Sequence, residues 1–230
     1  GSDPSNETKK ALLAIVDLRK NEGYDFRLMV DDAHGFGTLG ETGQGAGEYQ
    51  GVQKEIDILL GTFAKSMASI GAFVCANSDV IEYLAYNMRS QIFAKSLPMP
   101  LVVGAIKRLE LLKDPVHKNA LWRIADALQK GLREAGFNLG NTNSCVTPVM
   151  LSGTLGEATK LTFDLREKYG LFCSIVTYPV VPKGMILLRL IPTAVHTLDD
   201  VSYTIETFKA IKQKLENGEY HSDELLNANA

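Results

Sequence analysis

The chain has 230 residues, 45% of them apolar and 22% charged, the balance of an ordinary globular protein of one large or two small domains. A formal net charge of −3 leaves no global basic footprint for nucleic acid or an anionic membrane surface. No apolar run approaches the ~20 residues of a membrane-spanning helix, and the polar start "GSDPSNETKK" does not read as a secretory leader, so a cytoplasmic location is expected.

In chain order, residues 6–22 are predicted to form an amphipathic helix, with Leu12, Leu13, Val16 and Leu18 set among charges. "FRLMVDD" reads as a buried strand running into a glycine-rich tract that extends to Gly51. "EIDILLGTF" and "GAFVCAN" are two further short apolar strands. "SDVIEYLAYNMR" begins like a helix capped by Ser78. "PMPLVVGAIKRLELLKD" and "VHKNALWRIADALQKGLREAG" are the strongest helices, the second closed by Gly136. Strand "CVTPVMLS", helix "EATKLTFDLREKYG", strand "LFCSIVTY" and strand "MILLRLIP" follow. The last helix, "TLDDVSYTIETFKAIKQKL", opens on Thr197 with Asp200 three residues on, a capping box with Asp in place of Glu or Gln. The pattern is α/β, with a boundary near Asp114-Pro115. Residues 1–114 form a first part of buried strands and loops, 115–216 an α+β part, and 217–230 a polar, frayed tail.

Gly35, Gly37 and Gly40 in "DDAHGFGTLG" have the G-x-G-x-x-G spacing of a dinucleotide loop. Such a loop needs a helix immediately after it, so that N–H groups face the pyrophosphate, and "ETGQGAGEYQG" carries too much glycine for one. The residues before the glycines are richer in chemistry. Asp31, Asp32 and His34 end an apolar strand, where α/β sheets place ligand sites and where a carboxylate needs a cation or donor. A metal would want further ligands, and His117, His196 and Glu41 have no supporting spacing. A carboxylate facing a protonated cofactor nitrogen is the other chemistry. Alternatively, both aspartates cap the loop and His34 is a surface histidine. Cys75, Cys145 and Cys173, odd in number and widely spaced, read as reduced thiols rather than metal ligands, so no metal is expected.

The segment "GTFAKSMASIGAFV" bears on that choice. Lys65 sits just beyond a strand, flanked by Thr62, Ser66 and Ser69, and crowding with desolvation would make its amine nucleophilic. A Schiff-base lysine, a strand-end carboxylate and an imidazole are the parts pyridoxal 5'-phosphate requires.

"VDDAHGFGTLGETGQG" followed by "GTFAKSMASIGAFV", with "SLPMP" and "LLRLIPTAVHTLDDV" in order, resembles the α-oxoamine synthases. These are pyridoxal-phosphate enzymes of fold type I that condense an amino acid with an acyl-CoA and release CO2. The lysine segment is most similar to the serine palmitoyltransferase branch, which reads T-F-S-K-S-x-A-S-I-G-G. The resemblance implies a partial cofactor domain with a mixed sheet, followed by a C-terminal α+β domain. It implies Lys65 as the lysine holding the cofactor aldehyde, Asp31 as partner of the pyridine nitrogen and His34 as partner of the phenolic oxygen. Ala33 would pack under the ring and Thr62 would contact the phosphate. Ser96 would reach the phosphate of the neighbouring subunit's cofactor, implying a homodimer. Arg189 would take the substrate carboxylate, and His196 reads as structural. The substrates implied are an amino acid, L-serine favoured, and an acyl-CoA, a long acyl chain bringing peripheral membrane contact. Glycine C-acetyltransferase and 8-amino-7-oxononanoate synthase are the alternatives within the family; an inactive fragment or partner subunit serving dimerisation is the alternative outside it. Ala64 stands where serine palmitoyltransferases have serine, and Tyr178 falls near an arginine found in some of them. The chain begins just before the D-x-A-H strand, so the N-terminal half of the family's cofactor domain is absent from it.

Overall fold

The computed structural model describes residues 11–221, which divide between Lys118 and Asn119 into two compact units. In the first, helix α1 (Ala11–Asn21) precedes a three-stranded sheet of β1 (Met29–Asp31), β2 (Ile58–Thr62) and β3 (Ala72–Cys75) in the order β1-β2-β3. β1 runs parallel to β2 in the register Met29↔Ile58 to Asp31↔Leu60, and β3 pairs antiparallel with β2 from Leu59↔Cys75 to Thr62↔Ala72. The sheet is therefore mixed, as expected. The strands are shorter than the apolar runs that predict them: Phe26 and Leu28 pack into a small cluster with Val16 and Val52 instead of extending β1. The start of α1 is capped from outside, since Gln50 Oε1 accepts from Leu12 N at 3.0 Å and Leu13 N at 3.2 Å. Arg19 ties its far end to Asp57 at 2.6 Å. Residues 6–10 of the predicted helix lie outside the described residues.

The glycine tract ends in a helical turn, α2 (Ala46–Tyr49), where sequence reasoning leaves only loop. After β3 come α3 (Ser78–Asn87), α4 (Arg89–Ile92) and α5 (Met99–Leu111). The cap of α3 is Asn77, whose Oδ1 accepts from Val80 N at 3.1 Å; the expected cap, Ser78, is already the first helical residue. These three helices bury only Ala105, and Tyr83, Tyr86, Ile92, Met99 and Val103 are exposed on them.

The second unit holds the larger core. α6 (Val116–Glu134), which begins at the end of the first unit, presents Ile124, Leu128 and Leu132 four residues apart, one face of a helix. α7 (Leu155–Tyr169) adds Ala158, Leu161 and Leu165, and α8 (Leu198–Glu216) adds Val201, Phe208 and Ile211. They share one cluster with the antiparallel sheet β4 (Thr147–Ser152), β6 (Met185–Leu190) and β5 (Ser174–Val176), ordered β4-β6-β5. Each of these large side chains contributes about 1.5–3 kcal/mol on burial. β6 alternates strictly: Ile186, Leu188 and Leu190 are buried, so Leu187 and Arg189 face the other way.

Gly136 ends α6 at φ +79, with Phe137 N bonding to Leu132 O at 3.0 Å, as its sequence position implies. The Thr197–Asp200 capping box is present. A second box, Thr154 with Glu157, starts α7 two residues before the predicted start. Residues 217–221 depart from the frayed tail expected there. Tyr220 is 5% exposed and donates to Asp164 Oδ2 at 2.8 Å, because Asp164 on α7 offers a buried acceptor. Residues 222–230 lie outside the described residues. No described helix is long and apolar enough to cross a membrane.

Candidate active site

Because β1 and β2 are parallel neighbours, their carboxyl ends lie at the same end of the sheet. Asp31 ends β1, Thr62 ends β2, and Ala33, His34 and Lys65 follow in the two turns beyond. The topology thus brings together five of the residues singled out by sequence. Asp31, His34 and Lys65 are exposed there, and Ala33 and Thr62 are half-buried. Asp31 Oδ1 accepts from Ala33 N at 3.0 Å.

The neighbouring carboxylate has the opposite fate. Asp32 is 4% exposed, and burial pushes its carboxyl above the ordinary carboxylate range. N–H donation from Ala46, at 2.7 Å to Oδ2, and from Gly35 partly offsets that cost. Asp32 therefore occupies the first N–H of α2, the position a pyrophosphate would need in a dinucleotide site. It also explains two glycines. A Cβ at Gly35 would lie 2.1 Å from Asp32 Oδ1, and one at Gly45 would lie 1.7 Å from Oδ2. Gly40 gives room to Glu48 in the same way, at 2.1 Å from Oε2. Glu48 braces the tract by accepting from Thr42 N at 3.0 Å and Gln44 N at 2.9 Å. Desolvation opposes its ionisation, but these bonds and the Thr42 hydroxyl hold its carboxyl below the usual range. The glycines thus serve the loop's own packing.

Residues 62–71 form a closed turn. Phe63 N bonds to Gly71 O at 2.9 Å, Ser69 N to Phe63 O at 2.8 Å, and Ala68 N to Lys65 O at 3.0 Å. Met67, 1% exposed, anchors it. The hydroxyls expected to crowd Lys65 are otherwise engaged: Ser66 Oγ donates to Phe36 O at 2.8 Å and Thr62 Oγ1 to Gly71 O at 3.3 Å. Lys65 consequently stands exposed at the crest, so the described residues do not supply the expected desolvation. Ser96 is exposed in the segment after α4. Its neighbour Leu97 packs on the turn, since a Cβ at Gly71 would lie 2.9 Å from Leu97 Cδ1.

Arg189 belongs to the second unit. It is half-buried on the β6 face turned from the core, and its Nε donates to Ser174 Oγ at 3.1 Å across the pair Ser174↔Arg189. His196 organises the turn before α8, its Nδ1 accepting from Thr193 N at 3.0 Å. Cys145 and Cys173 are buried and Cys75 is exposed; none of the three forms a disulfide, and burial pushes Cys173 up to about 11.

The first sheet's carboxyl end fits a phosphorylated pyridine aldehyde. Lys65 offers an exposed amine and Asp31 an exposed acceptor. Ser69 Oγ, regarded in sequence only as a flanking hydroxyl, is buried without a hydrogen-bond partner among the described residues. A lone serine in "MASIG" carries no sequence signal of that kind.

The family model of class I and II aminotransferases matches residues 1–208, and the chain belongs to this family. Its relatives include a fatty acyltransferase and serine palmitoyltransferases. The chain is 59% identical over 212 residues to the cysteate-C-fatty acyltransferase of Capnocytophaga ochracea, covering 92% of this chain and 50% of that one. Among solved structures it resembles serine palmitoyltransferase from Sphingomonas wittichii, with TM-score 0.78 and 30% identity, covering 88% of this chain and 50% of the other. A second, SPT with a PLP internal aldimine, has TM-score 0.80 and 31% identity, covering 90% and 52%. Pyridoxal 5'-phosphate is accordingly the cofactor, and the fold is the α/β fold of this family, as the sequence motifs imply. The chain spans about half the length of these relatives.

Proposed function

We propose that the protein condenses a small amino acid with a fatty acyl thioester, releasing CO2 and the thiol to leave a 2-amino ketone, and that the amino acid is cysteate. The 59% identity with a cysteate-C-fatty acyltransferase carries the choice of amino acid. Serine is the second reading, supported by the T-F-x-K-S segment and by the serine palmitoyltransferase structures.

Pyridoxal phosphate, when bound, supplies an electron sink for negative charge at the substrate's α-carbon. Lys65 Nζ would hold the cofactor aldehyde and would serve as the general base for the substrate's α-proton. Asp31 holds the proton on the ring nitrogen, its exposure at the end of β1 leaving the carboxylate available for it. His34 bonds the phenolic oxygen and Ala33 supports the ring. Thr62 binds the phosphate, and Ser96 reaches the phosphate of the neighbouring subunit. Arg189 takes the substrate carboxylate with the guanidinium nitrogens that Ser174 leaves open. A homodimer is supported by the apolar residues exposed on α3 to α5.

The test is thiol release by the full-length enzyme with cysteate, serine, glycine and alanine, each paired with long and short acyl-CoA. The expected result is a kcat/KM at least about tenfold higher for cysteate with a long chain, about 1.4 kcal/mol of discrimination. A preference for serine moves the assignment to the second reading. No turnover with any pair overturns both.

A further inference from the structure

We propose that Ser66 is a positioning residue that locks the Lys65 turn to the Asp31–His34 loop, so that amine and carboxylate share one rigid frame. The inference rests on the reading of Lys65 and Asp31 as the residues that hold the cofactor. Three observations carry it.

Ser66 Oγ donates to the Phe36 carbonyl at 2.8 Å, joining two turns 30 residues apart. Lys65 and Ser66 are adjacent, while Phe36 is two residues beyond His34, so the bond links the two reactive segments directly. The Asp31–His34 loop is also shaped around this serine. A Cβ at Gly37 would lie 2.3 Å from Ser66 Oγ and 2.4 Å from Ser66 Cβ, and Gly37 has φ +82. Any side chain at 37 would push the turns apart.

The third observation is a second bracket on the same two segments. The Phe36 ring meets Phe73 edge-on at 4.9 Å between centroids, and Phe63, two residues before Lys65, meets the same Phe73 at 5.5 Å. Phe73 sits on β3, and Gly61 beneath it has no room for a Cβ, which would lie 2.3 Å from its ring. Phe36 and Phe63 are thus packed against one ring on the sheet, and the Ser66 hydroxyl closes the remaining gap. Beyond it, Ala68 adopts φ +42, a left-handed conformation costing on the order of 1–2 kcal/mol, and Met67 is buried. The turn accepts this strain while holding Ser66 on Phe36.

Without the hydroxyl, the Phe36 carbonyl loses its donor and Lys65 can shift relative to Asp31. Cofactor binding then has to supply the ordering the clasp now provides. The test uses the full-length apoprotein titrated with pyridoxal phosphate, read by the visible band of lysine-bound cofactor, its dissociation constant and the pH dependence of the band. Ser66→Ala is expected to weaken cofactor binding about tenfold and to displace the pH profile, because the lysine and the ring-nitrogen partner no longer keep their spacing. A serine that merely stabilises the turn would lower the apoprotein's melting temperature and leave the pH profile in place, and that result overturns the proposal, as does wild-type affinity. Lys65→Ala serves as control. If it retains the band, the underlying reading of Lys65 is wrong. If it loses the band while Ser66→Ala behaves as wild type, only the positioning role falls.

Discussion

The Asp164 cluster allows a stability prediction that can be worked from distances. Asp164 is 6% exposed on α7 and accepts from Lys168 at 2.6 Å, Lys214 at 2.9 Å and Tyr220 at 2.8 Å. Desolvation alone would raise its carboxyl, but the three donors win and bring it from 3.8 to about 2. A carboxyl depressed on folding adds stability that is complete above its unfolded value and disappears as pH falls through the folded one. Here the contribution is about 2 kcal/mol, present above about pH 4 and lost toward pH 2. Burial first, and then the bond to Asp164, push the Tyr220 phenol upward, so it stays a donor throughout. Tyr220→Phe keeps the buried ring and removes one donor to a charged acceptor, an expected loss of about 1.5 kcal/mol at neutral pH. For a unit of this size that lowers the melting temperature by about 5 °C. The single tryptophan, Trp122, lies in the same unit, so its fluorescence follows the transition. The deficit should shrink as pH drops below about 4, where the carboxyl no longer needs every donor. A deficit below about 1 °C at neutral pH, or one that stays constant down to about pH 2.5, refutes the reasoning.

Asp31→Asn in the full-length enzyme should lower kcat by at least about 100-fold with an unchanged melting temperature, since the exposed carboxylate contributes little to packing; steady-state kinetics beside a melting curve decide it. Ser174→Ala should raise the KM for the amino acid about tenfold with kcat within about twofold, because Arg189 Nε loses its acceptor and the guanidinium its orientation. Gly45→Ala, at φ +105 with its Cβ 1.7 Å from Asp32 Oδ2, should cost more than about 2 kcal/mol in denaturant unfolding. Gly51→Ala, at φ +72 with nothing within 4 Å, should cost only about 1 kcal/mol, and equal losses at the two positions would refute the packing explanation.

The long helices were legible because their apolar spacing repeats over several turns, as at Ile124, Leu128 and Leu132, and because Thr197 with Asp200 marks a start chemically. Thr154 with Glu157 carries the same signal and was readable in "TLGE". The strands were placed correctly but drawn too long, Leu28 being buried without belonging to β1, and β1 is not the buried strand expected, since Met29 and Asp31 are exposed and Val30 only half-buried. Sequence located the D-x-A-H and lysine segments. It could not tell which of two adjacent aspartates is buried, because that depends on donors at Gly35 and Ala46 folding back. The Ser66–Phe36 bond and the Tyr220 anchor join residues 30 and 56 positions from their partners, separations at which no local pattern is available.

The pocket around Asp32 has a consequence for register. Successive side chains on a strand point to opposite faces, so a slip of one residue would exchange the two aspartates. Such a slip would bring the chain out of step with the N–H groups of Gly35 and Ala46 and with the glycines that leave space for Asp32. Asp32 therefore acts as the key that admits only one alignment of β1. Insertions and deletions here should be judged by whether they preserve that key, since it determines which carboxylate is left facing outward.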